Sequence, residues 1–286
     1  MLEEMSVKRA IRLDVVTTAS PQTVTIQEWN CTEATLISWG DGQTTIHAAA
    51  NGGTVSHQYA AAGSYTIRLI VNPLAVRRID FRTTALLPDS AYFQRCTGVT
   101  YFRWLSVGIS KFDSAHISAM ALTYLSIYNP LAGSIVAFDS AHIAGKALSH
   151  LYLSNFPASS VVIFDSTHIA AMPLIYVYFS NFPAESEITV AANDFAGFPA
   201  ATTVALYDSL LSQAQVDAIL QGLYAGLATR TAANGTINLG GNNLAPSGLL
   251  QAMCPPVDGK EYAYELVNDS CGINPTKKWA TVTITA

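Results

Sequence analysis

"FDSAHI", at Phe112–Ile117, recurs letter for letter at Phe138–Ile143 and as "FDSTHI" at Phe164–Ile169, a spacing of 26 residues each time. An Asp and a His kept together three times fit either a repeated chemistry or a repeated scaffold. The residues downstream of each copy separate the two. Eight residues after each aspartate comes a strand-like stretch: "ALTYLSIYN" from Ala121, "ALSHLYLSN" from Ala147 and "PLIYVYFSN" from Pro173. Each reads L-x-x-L-x-L in apolar terms, through Leu122, Leu125, Ile127; Leu148, Leu151, Leu153; and Leu174, Val177, Phe179. One unit of strand and short helix cannot bury its apolar side alone, so such units stack into a continuous core.

Within each unit, Asp113, Asp139 or Asp165 stands where a short helix begins. A carboxylate there accepts a free backbone N–H and suits the positive helix end. Phe112, Phe138 and Phe164 precede them and are expected to point inward. His116, His142 and His168 fall on the first turn, where three equivalent imidazoles could form a ladder that binds metal or titrates near neutral pH. A catalytic or metal site is normally built once, from different residues. The hexapeptide is therefore expected to cap and stack, with no catalytic residue, no metal and no cofactor.

The array drifts at both ends. Val99, Phe102 and Trp104 mark a shorter unit before it, and Val204 and Leu206 take the core places after one insertion. "LSQAQVDAILQGLYAGL" predicts a helix capped by Ser212, with Val216, Ile219, Leu220 and Leu223 on one face. Ile237 and Leu239 belong to another strand, and "KKWATVTITA" predicts a final strand over the open end. "CPPVDGKEYAYELVNDSCGIN" between them reads as a loop-rich extension. Cys254 and Cys271 could pair, although reduced, packed thiols are the simpler expectation.

A period of roughly 20 to 29 residues with this apolar pattern is the mark of a leucine-rich-repeat solenoid. Residues 76–250 resemble irregular bacterial leucine-rich repeats, about five or six rungs, with 251–286 as extension and capping strand. Asn129, Asn155 and Asn181 come one residue earlier than the asparagine of that consensus. The stretch "LSQAQVDAILQGL" to "NLAPSG", with the closing strand, is similar to repeat modules of bacteriophage and bacterial structural proteins.

The front of the chain has another pattern. "TVTIQEW" and "SYTIRLIV" alternate apolar and polar residues as half-buried strands do. "SWGDGQ", "HQY" and "GSYTIRLIV", in that order, resemble a PKD domain, an immunoglobulin-like β-sandwich, over residues 1–75. Such domains act mostly as spacers and adhesion modules without catalytic residues. Asp41 and His57 are read as a turn aspartate and a hydrogen-bonded core histidine in preference to a ligand or a catalyst. The expected fold class is thus mostly β with short helices: a sandwich followed by an α/β solenoid.

Only 12% of residues are charged, about half the ordinary share. A net charge of −5 argues against nucleic acid as partner, and no apolar run approaches the ~20 residues that cross a bilayer. The first residues, "MLEEMSVKRAIRLDVV", predict no signal peptide, so synthesis in a cytoplasm is expected. Tyr124, Tyr152, Tyr176 and Tyr178 alternate with core positions; they suit either a strip for carbohydrate or protein, or stacking between units. The expected function is a non-enzymatic structural or adhesion component of a bacteriophage virion. Its partners would be other copies, other virion proteins or a host surface glycan or protein; a bacterial surface adhesin is the alternative.

Overall fold

The computed structural model describes residues 9–82 and 85–285, and their fold is mostly β, with several sheets that do not close. The chain falls into two compact units, Met1–Phe138 with Phe156–Ser160, and Asp139–Asn155 with Val161–Ala286.

The first unit begins with β1 (Arg9–Thr17), β2 (Gln22–Cys31), β3 (Thr35–Ser38), β4 (Thr44–His47), β5 (Ala50–Tyr59) and β6 (Gly63–Val71). Next come β7 (Val76–Phe81), β8 (Leu86–Pro88), β9 (Tyr101–Leu105), β10 (Phe112–Asp113), β11 (Tyr124–Tyr128) and β12 (Val136–Asp139). One sheet runs β4-β3-β6-β1-β8; in another the order is β5-β2-β7-β9-β11. The alternation in the front strands fixes which face is inside: Ile11, Leu13, Val15, Val24, Ile26, Ile67 and Leu69 are all 0–1% exposed. Each such side chain contributes about 1.5–3 kcal/mol relative to leaving it in water.

The tight turn after Trp39 depends on Gly40. Its φ is +87°, and a Cβ there would lie 2.6 Å from the Thr66 carbonyl oxygen. Only glycine tolerates both the left-handed backbone and that approach.

β7 makes two kinds of pairing. It runs antiparallel to β2, with Glu28 opposite Asp80, and parallel to β9, with Asp80 opposite Arg103. The expected boundary at residue 75 falls immediately before this strand. Ile79 and Phe81 align with Phe102 and Trp104, and these in turn with Leu125 and Ile127.

In the second unit, β13 (His150–Ser154), β15 (Tyr176–Ser180), β17 (Thr203–Tyr207), β18 (Thr236–Leu239) and β19 (Thr281–Ile284) pair in that order, all parallel. Leu151, Val177, Val204, Ile237 and Val282 share one register position. Leu153, Phe179 and Leu206 share another, and both rows follow from the apolar spacing.

Three local features differ from the sequence reading. Each "FDSAHI" unit carries a second short strand ahead of its short helix, which is a 3-10 turn. β10 pairs with β12, and β14 (Val161–Asp165) with β16 (Glu187–Thr189). β-Branched residues ahead of the motif, as in "SVVIFD", favour extended backbone. The segment read as loop-rich also contains a helix, Gly259–Asn268, capped by the Asp258 carboxylate accepting the Glu261 N–H at 2.9 Å. Cys254 and Cys271, expected to be reduced, are bonded; the helix and its return bring their Cα atoms to 5.5 Å, within disulfide reach. The predicted helix is present as Gln213–Ala225, with Ser212 and Gln215 in a reciprocal capping box.

Candidate binding face

The hexapeptide residues divide their work between capping and joining. Asp113, Asp139 and Asp165 each accept the backbone N–H two residues on, at 2.8–2.9 Å, and start the 3-10 turns. The serine next to each aspartate works across units. Ser140 Oγ accepts the Asp165 N–H at 2.9 Å and stands 2.9 Å from His168 Nδ1. Ser90 Oγ does the same with Asp113 N–H, 2.8 Å, and His116 Nδ1, 2.8 Å. A hydroxyl that accepts one N–H has one proton left to give, which suits an imidazole nitrogen as acceptor. In the next unit Asp194 replaces the histidine and accepts from Ser166, whose Oγ receives the Ala191 N–H.

Ser90, Ser114, Ser140 and Ser166 are 0–1% exposed, so these hydroxyls are closed off from solvent. His116, His142 and His168 are half-buried on the turns. Among the described residues, no group of three or more His, Cys, Asp or Glu is placed to hold a metal ion. Sequence reading missed Ser90 and its cap Asp89, which accepts the Ala91 N–H at 2.8 Å. The signal was present: "DSAYF" at 89–93 shares its first three letters with the hexapeptide core.

The predicted tyrosines fall in different units. In the second unit, Tyr152, Tyr176 and Tyr178 come together: Tyr176 stacks on His150 at 4.8 Å, and Tyr152 lies 6.1 Å from Tyr176 and 6.0 Å from Tyr178. Tyr207 extends the row, its hydroxyl 2.6 Å from that of Tyr178. Burial holds His150 below the usual imidazole range, which favours the neutral ring within the stack.

In the first unit, Tyr124 stacks on Tyr101 at 4.1 Å. Burial, reinforced by Tyr124, pushes the Tyr101 hydroxyl above the ordinary phenol range, so it stays protonated. The Arg78 guanidinium covers the other side of Tyr101, 3.6 Å from the ring centre.

Beside this stack lies a charge cluster that does not repeat. Asp80 is 0% exposed. It accepts from Arg82 Nε and Nη2 at 2.9 and 2.8 Å, and from Arg103 Nε and Nη2 at 3.0 and 2.6 Å. Arg78 is 3.5 Å away and pairs with Glu28, which also meets Arg82 at 3.3 Å. Burial drives the Asp80 carboxyl upward, against the pull of Arg82 and Arg78. Its oxygens are fully engaged by guanidinium groups, so it positions arginines and has no free acceptor for proton transfer. The signal was "RIDFR": charges at Arg78, Asp80 and Arg82 alternate with Ile79 and Phe81, the strand period with one face charged.

No family model, curated relative or solved structure matches the chain. Its possible roles therefore rest on these side chains alone. The arrangement offers flat aromatic rings and anchored guanidinium groups on strand faces, which suit recognition by stacking and by multiple hydrogen bonds. In the front strands, Asp41 and His57 form a pair: Oδ2 and Nε2 are 2.6 Å apart, and the imidazole stacks on Trp39 at 4.8 Å. No helix among the described residues is long and apolar enough to cross a membrane.

Proposed function

We propose that the chain is a non-enzymatic structural and adhesion protein. The observation that carries this reading is the use of the Ser–His pairs. The Ser140–His168 and Ser90–His116 pairs, which resemble a nucleophile and its base, have buried hydroxyls and join neighbouring units. On this reading residues 1–75 are a PKD-like sandwich and 76–250 a leucine-rich-repeat-like solenoid, extended by 251–286. The alternating burial of the front strands and the shared register of the later ones support it.

The proposed setting is a bacteriophage virion, where the chain packs against other copies or other virion proteins. Its low charge content supports that setting, because a charge-poor surface is easily covered by neighbours. Light scattering and negative-stain images of the purified protein test it. Closed oligomers or filaments are expected, and a monomer at every accessible concentration would remove this support.

The tyrosine and arginine faces favour one further role, recognition of a host surface glycan or protein. A glycan array probed with the wild type and with Tyr152→Ala/Tyr178→Ala tests it: binding lost in the variant without a change in melting supports recognition. Unchanged binding with lowered melting would make these rings stacking elements of the sheet.

A further inference from the structure

Arg230 is buried to 5% exposure in the second unit. Its guanidinium lies over the Trp279 ring, 3.5 Å from the centre. Nη1 donates to the Ala201 carbonyl at 2.7 Å. Nε and Nη2, the other edge of the fork, have no acceptor, and neither has Trp279 Nε1. No carboxylate among the described residues pairs with this cation.

Burial lowers the guanidinium to about 10, which still leaves it charged at neutral pH. An uncompensated buried ion is destabilising, and each buried N–H without a partner adds to that. The structure around it is nonetheless well tied. Asn274 donates to the Arg230 and Leu227 carbonyls at 3.2 and 3.0 Å.

A small cavity opens at this place. Phe195, Ala196, Phe198, Leu223 and Gly226 line it together with Arg230 and Trp279, and its volume is about 10 Å³. That is about the room one small occupant needs. A water molecule would accept from these donors but would leave the guanidinium charge uncompensated. A carboxylate or phosphate carries atoms for which there is no space. A monatomic anion fits in size, accepts from every direction and neutralises the charge.

We propose that this cavity binds a halide ion of chloride size, held by Arg230 Nε and Nη2 with Trp279 Nε1. The ion ties the segment after the helix Gln213–Ala225 to the approach of β19.

Thermal unfolding of the full chain in sodium chloride, compared with sodium gluconate at equal ionic strength, tests the proposal. A saturable, chloride-specific rise in Tm is expected; at 100 times Kd the folded-to-unfolded ratio rises about 100-fold. Arg230→Met should abolish the response. Because that variant could fail to fold, Trp279→Phe, which keeps an aromatic ring and removes one donor, should weaken chloride binding measurably. Crystals soaked in sodium bromide should show an anomalous peak within hydrogen-bond distance of Nη2. An equal response to gluconate, the same chloride affinity in Trp279→Phe, or no bromide peak at this cavity would each overturn the assignment.

Discussion

The Ser140 hydroxyl stands 2.9 Å from Nδ1 of His168, 28 residues further along the chain. The same oxygen accepts the Asp165 N–H, so one buried atom holds the next unit by its backbone and by its side chain. Ser140→Ala removes both bonds and leaves a backbone donor without its partner. The expected loss is about 1–3 kcal/mol, read from the urea midpoint at constant slope. An unchanged midpoint would mean that the joint is held by apolar packing alone.

Asn181 follows β15 in the left-handed region, at φ 51°, and its side chain donates to Asn155. Ser106, Asn129, Asn155 and Asp208 adopt the same conformation immediately after their strands. Asn181→Ala should cost about 1–2 kcal/mol, since alanine resists that backbone, whereas Asn181→Gly should recover most of the loss. Equal stability of the two variants would show that the backbone conformation is not the source of the preference.

Asp80→Asn leaves three arginines around a neutral amide. Removing one partner of a buried ion cluster typically costs about 3–5 kcal/mol. Guanidinium chloride is unsuitable here because it masks charge effects, so urea unfolding is the measurement to use. A variant as stable as wild type would mean that the guanidinium groups do not need this carboxylate.

Asp41 titrates below the ordinary carboxylate value of 3.8. Burial pushes it upward, but the His57 hydrogen bond and the Gln43 N–H outweigh that. A folded-state value below the unfolded one means stability that is present above pH 3.8 and lost as the pH falls through the folded value. Asp41→Asn should therefore flatten the acid limb of a stability profile and change little of its shape at pH 7. An acid limb identical to wild type would remove Asp41 from the account.

The strand positions were legible because burial on one face imposes a period of two, and stacking imposes one register on every copy. Leu151, Val177 and Val204 are readable for that reason. The 3-10 geometry was not, since an aspartate cap looks the same ahead of either helix type. Nor was the partner of each histidine: Ser140 and His168 are distant in sequence, and nothing in the hexapeptide says that its serine faces the next copy. The helix at Gly259–Asn268 was hidden by its polar composition and by the glycine at its start. Arg230 gave no signal, because burial of a lone arginine is decided by packing that only the folded chain has.

The joint made by Ser90 and His116 is the same, atom for atom, as that made by Ser140 and His168. A unit gained or lost whole creates no surface that its neighbours have not already met, whereas a fractional change turns every inward side chain out. Each added parallel strand lengthens the stack by about 4.8 Å. Descendants of this chain can therefore differ in reach by whole steps of that size, through duplication or deletion of one cassette, with no compensating mutation elsewhere.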